Sequence, residues 1–256
     1  MMHTIAMLVQ YDGSGYHGWQ RQLNGKSLQE TIEKPLSRLL KQKISLTASG
    51  RTDARVHALA QCASFQCDLI IPIEKLKFAL STQLPSDIVM LAMWIADDSF
   101  HARYDATEKT YLYKLYFATT SDPFRNKYSL YVPTALDEIA IKEAMQLFLG
   151  KHDFRGFMAT GSSVRNTVRT IYQFELSHCL DEWHFEITGD GFLYNMVRII
   201  IGLLIEVGKG KIDPEAITGI IESRDRTKAK WTAPPQGLYL KKVKYENDKT
   251  TVDKHV

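Results

Sequence analysis

Short apolar runs of strand length, closed by turns and interleaved with helix-period stripes, recur from one end of the chain to the other, and this alternation limits the fold more than any other feature. Thr4–Tyr11 is apolar enough for a strand and ends in a glycine-rich loop, Asp12–Gly18. Ser27 and Glu30 then form a capping-box pattern. It predicts the start of a helix with Leu28, Ile32, Leu36, Leu39 and Leu40 on one face. Pro35 lies inside that helix and predicts a kink or one lost hydrogen bond. Ile44–Ala48 and Leu59–Phe65 read as strands on either side of a loop, Gly50–His57. Ile73–Leu80 reads as a helix and Asp87–Ile95 as a strand.

A similar order returns further along. Thr110–Phe117 alternates as a strand, with Tyr111, Tyr113, Leu115 and Phe117 on one face. Thr134–Leu149 predicts a helix stopped by Gly150. Arg169–Ser177 and Glu182–Thr188 form a hairpin pair. Phe192–Val207 is a strong helix pattern with Met196, Ile200, Leu203, Leu204 and Val207 inward. Pro214–Glu222 is a shorter helix and Gly237–Val243 a last strand. Hairpin-like spacing favours antiparallel pairing over a doubly wound parallel sheet. The fold class expected is α+β: two similar α/β halves sharing a largely antiparallel central sheet, with helices packed on one side. The division expected is 1–105, 106–245 and a polar, frayed tail at 246–256.

Hydrophobic residues at 45% and charged residues at 24% exclude a disordered or fibrous chain. The opening residues lack the basic and long apolar regions of a secretory signal, and Ile199–Ile205 is too short to span a bilayer, so a cytoplasmic protein is expected. Cys62, Cys67 and Cys179 are odd in number and lack paired metal-ligand spacing, so neither a disulfide framework nor a zinc site is expected. A net charge of +3 does not argue for nucleic acid by itself. Distribution says more: Arg21, Arg51, Arg55, Arg103, Lys109, Arg165, Arg169 and Arg198 lie in or beside loops and strand ends among Tyr, Trp and Phe. Such mixing suits a surface that neutralises phosphates and stacks bases, although scattered solvated charge gives the same composition.

One motif points elsewhere. Gly13, Gly15 and Gly18 match G-x-G-x-x-G after a strand, the pattern of a dinucleotide site. That site needs a helix opening at the third glycine. Here Trp19–Gly25 reads as loop and the helix begins only at Ser27, so a dinucleotide-dependent oxidoreductase is the weak reading. A flexible surface loop is the plain reading, and a loop carrying Tyr16, His17, Trp19 and Arg21 also suits RNA contact.

The stretch from Gly50 to Ala58, Gly-Arg-Thr-Asp-Ala-Arg-Val-His-Ala, carries the chemistry. Asp53 stands between Arg51 and Arg55, and guanidinium groups favour its ionised form. An ionised, partly shielded aspartate acts as nucleophile or base. A turn aspartate that bonds its own backbone and pairs with arginine accounts for the same residues.

This stretch resembles the active-site signature of the TruA pseudouridine synthases, and the likeness runs along almost the whole chain. It takes in Tyr11-Asp12-Gly13 with Gly18-Trp19-Gln20, Phe100–Arg103 with Lys109–Tyr113, and His152-Asp153-Phe154 with Val168–Ile171. Gly191–Arg198 and Ala233–Leu240 complete it. The resemblance implies a tRNA pseudouridine synthase that isomerises uridine in the anticodon stem-loop, a homodimer with tRNA across both subunits, and no cofactor or metal. It implies Asp53 as the carboxylate that starts glycosidic bond cleavage and Tyr111 as the stacking face for the uracil. Arg51 would hold the place of the flipped base, Arg103 and Arg198 would sit near Asp53 or phosphate, and Leu238 would line the pocket. Read without the resemblance, Tyr111 is equally a core strand aromatic and Arg198 an edge residue of an apolar helix. His57 and His101 read as structural or phosphate-facing.

The chain departs from the family pattern at Arg55, where glycine is usual, and at Lys230-Trp231, where Gly-Pro is usual. At Arg55 either the backbone stays in an ordinary region or the loop is strained, and an added phosphate contact is the alternative. A non-catalytic tRNA-binding or tRNA-chaperone protein on the same scaffold is the alternative function.

Overall fold

The computed structural model, which describes residues 2–161 and 164–246, holds ten strands and five α-helices among those residues. In chain order these are β1 (Met2–Tyr11), α1 (Leu28–Leu40), β2 (Thr47–Ala48), β3 (His57–Asp68), α2 (Ile73–Ser81), β4 (Ile88–Ala96), β5 (Ala106–Phe117) and β6 (Leu130–Val132). They continue with α3 (Glu138–Gln146), β7 (Gly150–Asp153), β8 (Val168–Cys179), β9 (Glu182–Gly189), α4 (Met196–Gly208), α5 (Ala216–Ser223) and β10 (Leu238–Tyr245). Two compact units result: Met1–Thr107 with Tyr239–Val256, and Glu108–Leu238. Of the tail expected at 246–256, residues 247 onward lie outside the described residues.

In the first unit the strands run in the order β4-β1-β3-β10, with β2 beside β3. β1 pairs antiparallel with both β3 and β4, and β10 lies parallel to β3 through Tyr239–His57 and Leu240–Ala58. Ile5 through Val9 are all buried, so β1 is covered on both faces. α1 starts where the capping box places it: the Ser27 side chain accepts from Glu30 N. Leu28, Ile32, Leu36 and Leu40 are at most 1% exposed, each burial contributing about 1.5–3 kcal/mol. The helix continues through Pro35, which has no N–H to donate.

In the second unit the order is β5-β9-β8-β7, antiparallel throughout, with the short β6 parallel to β5. β8 and β9 form the expected hairpin. α4 supplies much of the core, with Met196, Ile199, Ile200, Leu203, Leu204 and Val207 buried. Each unit is a sheet with helices, so the protein is α+β. Among the described residues no helix is long and apolar enough to cross a membrane.

Candidate active site

The loop between β2 and β3 carries Asp53, and its position is fixed by contacts with the glycine loop after β1. Trp19 N donates to Thr52 O at 3.0 Å and Arg55 N to Tyr16 O at 3.1 Å. The buried Thr52 shares a hydrogen bond of 2.8 Å with the Tyr11 hydroxyl. The two loops are so close that glycine is required. A Cβ on Gly13 would lie 2.0 Å from Val56 O, and one on Gly18, whose φ is +90°, would lie 2.6 Å from Thr52 O. Gly13 and Gly18 of the G-x-G-x-x-G pattern therefore serve close backbone approach, while a Cβ on Gly15 would meet nothing within 4 Å. Gly13–Gly15 forms only a short 3-10 turn, and α1 begins well beyond it.

Further braces surround this contact. Gly13 N donates to His57 Nδ1 at 3.2 Å, and the Tyr239 ring stacks on the buried His57 at 4.7 Å. The Tyr16 hydroxyl donates to Asp87 Oδ1 at 2.7 Å. Burial, reinforced by that carboxylate, raises the Tyr16 phenol pKa well above the usual range. Beneath the loop, fully buried Gln61 donates through Nε2 to Gly50 O at 2.6 Å and accepts from Ser49 Oγ at 2.5 Å. Ser49 N donates to Cys62 O at 2.8 Å. Burial pushes the Cys62 thiol up to about 12, so it stays protonated. Against this rigid support Asp53 is half-buried, while Arg51, Ala54 and Arg55 are exposed.

Arg51 and Arg103 line one cavity of about 310 Å³ together with Trp19, Gln29, His101 and Tyr104. Asp53 is not among its lining residues. Arg103 is carried by a tight turn in which His101 Nδ1 accepts from Arg103 N at 3.2 Å and Tyr104 N at 3.1 Å. The exposed Tyr104 ring stacks on His101 at 4.2 Å. Tyr245 OH donates to Ala102 O at 2.6 Å and fixes the turn from behind. On the cavity wall, buried Gln29 accepts from Gln20 Nε2 and Arg21 N and donates to Glu33, which also pairs with the Arg21 guanidinium. Sequence reading passed over Gln29, Glu33 and Gln61. Polar residues at helix and strand positions look solvated until their backbone partners are known.

Tyr111, Arg198 and Leu238 belong to the second unit. Tyr111 is 8% exposed and meets Phe192 edge to face at 5.1 Å. Arg198, on α4, donates from Nε to Ala233 O at 2.8 Å and from a terminal nitrogen to Asn195 Oδ1 at 2.8 Å. Tyr113 OH donates to Pro234 O at 2.8 Å. These donors pin the segment that leads into the buried Leu238. Arg198 thus has built partners, beyond an edge residue extending its charge to water. Among the described residues no group of His, Cys, Asp and Glu stands together as a metal-ligand set.

The sequence matches the tRNA pseudouridine synthase family over residues 7–105 and 144–246. The chain belongs to this family. Relatives named tRNA pseudouridine synthase A include one from an Exiguobacterium species, 46% identical over 96% of this chain and 99% of its own length. Another, from a Thermoanaerobacter species, is 43% identical over 95% of this chain and 100% of its own. A third, from Staphylococcus aureus, is 39% identical over 97% and 94%. Membership makes the protein an isomerase of the pseudouridine synthase class. Among solved structures, the archaeal box H/ACA sRNP Nop10-Cbf5 complex gives a TM-score of 0.35 at 12% identity, covering 79% of this chain and 44% of that chain.

Arg55 and Lys230, the two positions singled out in the sequence, share a backbone property. Arg55 has φ 66° and Lys230 has φ 45°. The strained alternative foreseen for Arg55 is the one adopted. Asp53 O accepts from Val56 N at 3.2 Å, with positive φ at the third turn residue, the pattern of a type II turn that favours glycine. A side chain in this region costs about 1–2 kcal/mol. The other non-glycine residues with positive φ have a local use: Lys41 and Arg224 end helices, Asn195 starts one, and Leu180 turns the β8–β9 hairpin.

Proposed function

We propose that the enzyme isomerises uridine to pseudouridine in the anticodon stem-loop of tRNA, with the Asp53 carboxylate initiating glycosidic bond cleavage. The observation that carries this reading is a half-buried aspartate on a loop held by backbone hydrogen bonds, glycine contacts and a buried glutamine. Preorganisation of this kind keeps a reacting carboxylate in place without motion during the reaction. The reaction breaks a sugar-to-nitrogen bond and forms a sugar-to-carbon bond within one nucleotide, so it balances without an added reactant and needs no cofactor or metal.

The target must leave its stack, at a cost of a few kcal/mol. In this reading Arg51 fills the vacated place, and Tyr111 stacks on the uracil, an interaction worth about 1–3 kcal/mol. Arg103 and Arg198 meet phosphate or the Asp53 carboxylate, and Leu238 lines the uracil pocket. Residues 1–105 carry the Asp53 loop with Arg51 and Arg103, and 106–245 complete the RNA cleft with Tyr111, Arg198 and Leu238. The working form is a cytoplasmic homodimer with tRNA across both subunits. The guanidinium groups of Arg51 and Arg103 on one cavity support phosphate contact, which predicts tRNA affinity that falls steeply with salt.

Pseudouridine mapping on unmodified tRNA tests the reading. Product at uridines of the anticodon arm with wild type is the expected result. Product confined to another arm would overturn the assigned target. Binding of tRNA without product would favour the binding-only alternative.

A further inference from the structure

Arg55 combines three properties that a purely structural residue would not need. Its φ of 66° disfavours any side chain. It is exposed, and among the described residues its side chain makes no hydrogen bond, ion pair or ring contact. It stands two residues after Asp53 on a loop whose backbone is fixed through Arg55 N itself, which donates to Tyr16 O at 3.1 Å. The strained main chain is therefore over-determined by its surroundings, while the guanidinium is left open to solvent. Strain kept at a site without a local partner points to a partner that arrives with the ligand.

We propose that Arg55 is a substrate-affinity residue that contacts a backbone phosphate of the RNA beside the nucleotide presented to Asp53. The inference rests on the uridine-isomerising reading above. A guanidinium suits this role because it stays charged and matches phosphate oxygens in a bidentate fork. A base-reading role is less suited, since the residue lies on a loop whose fixed backbone leaves only the long side chain to adapt. The main chain favours glycine, and the side chain supplies charge that glycine lacks.

The test compares wild type, Arg55→Gly and Arg55→Lys in tRNA binding across a salt series, with a melting curve for each. Arg55→Gly removes the charge and relaxes the turn. The expected result is tRNA affinity about 3–10-fold lower at low salt, a salt slope shallower by about 0.7–0.9, and a melting temperature about 2–4 °C higher. Arg55→Lys is expected to keep the slope and lose part of the affinity, because the charge remains and the fork does not. Unchanged affinity and slope in Arg55→Gly would overturn the inference, as would an equal loss in Arg55→Lys together with a lowered melting temperature. Wild type that binds tRNA yet forms no pseudouridine would instead overturn the functional reading on which the inference rests.

Discussion

The loop that carries Asp53 and the segment that leads into Leu238 differ in the contacts that fix them. Around Asp53 the main chain packs on main chain: Gly13 and Gly18 approach Val56 O and Thr52 O more closely than any Cβ permits. Before Leu238 the main chain is held by side chains, with Arg198 donating to Ala233 O and Tyr113 to Pro234 O. The first arrangement leaves no room for a side chain at Gly13 or Gly18. The second places a cation and a phenol in the segment's own framework, so its geometry can be retuned by substitution. Both contain one cationic residue at positive φ, Arg55 and Lys230.

The comparison breaks most visibly at Gly13. Gly13→Ala forces a methyl onto Val56 O and is expected to destabilise by about 3 kcal/mol, the upper part of the range for overpacking. A melting curve and a pseudouridine assay check it, and near-normal stability would show that the loops yield more than their contact suggests. Arg198→Ala is the matching break in the second unit. It removes two charge-assisted hydrogen bonds and leaves Ala233 O without that donor, at an expected cost of about 2 kcal/mol in denaturant unfolding.

Relief of strain sharpens the comparison with a smaller effect of opposite sign. Lys230→Gly is expected to stabilise by about 1 kcal/mol, as Arg55→Gly does through its turn. If Lys230→Gly leaves tRNA affinity untouched while Arg55→Gly lowers it, only the Asp53 loop uses its strained cation on the substrate. The least perturbing probe is thiol alkylation at pH 8. Cys62 is buried beside the Asp53 loop with its thiol pushed up to about 12, and Cys67 is also buried, whereas Cys179 is exposed. Intact-mass analysis is expected to show one label, on Cys179. Raising pH toward 12 would favour the Cys62 thiolate, and labelling of Cys62 already at pH 8 would reveal opening of the core under the loop.

Elements with a strong local cause were legible in the sequence. α1 follows from Ser27 and its apolar stripe, and the β8–β9 hairpin from alternation around a turn. Where a helix pattern was read too long, a cap decided the boundary. The helix read over Thr134–Leu149 begins at Glu138 because the Asp137 side chain accepts from Ala140 N, while Asp137 N is tied to Gly208 O. The helix read from Phe192 begins at Met196 because Asn195 takes φ 61°, a conformation asparagine tolerates. β6 and β7 escaped notice because they are short, and Gly150–Asp153 has no apolar alternation. Gly150, read as a helix stop, does take φ +90°, but at the start of β7 after α3 has already ended.

The candidate site was legible through its motif, and its supports were not. Nothing local in the sequence signals that Gln61 reaches Gly50 O or that Gly13 meets Val56, because those contacts depend on strand pairing across distant segments. The glycine pattern was the one available signal. It reads in sequence as a dinucleotide motif or a flexible loop, and the close backbone approach at Gly13 and Gly18 emerges only in the folded chain.

The central claim is that Asp53 on this rigid loop carries the isomerisation. The direct measurement is pseudouridine mapping on unmodified tRNA with wild type and Asp53→Asn, alongside tRNA binding and melting curves for both. The account predicts product from wild type alone, with tRNA binding and stability retained in the variant. Product from Asp53→Asn at the wild-type rate would contradict it.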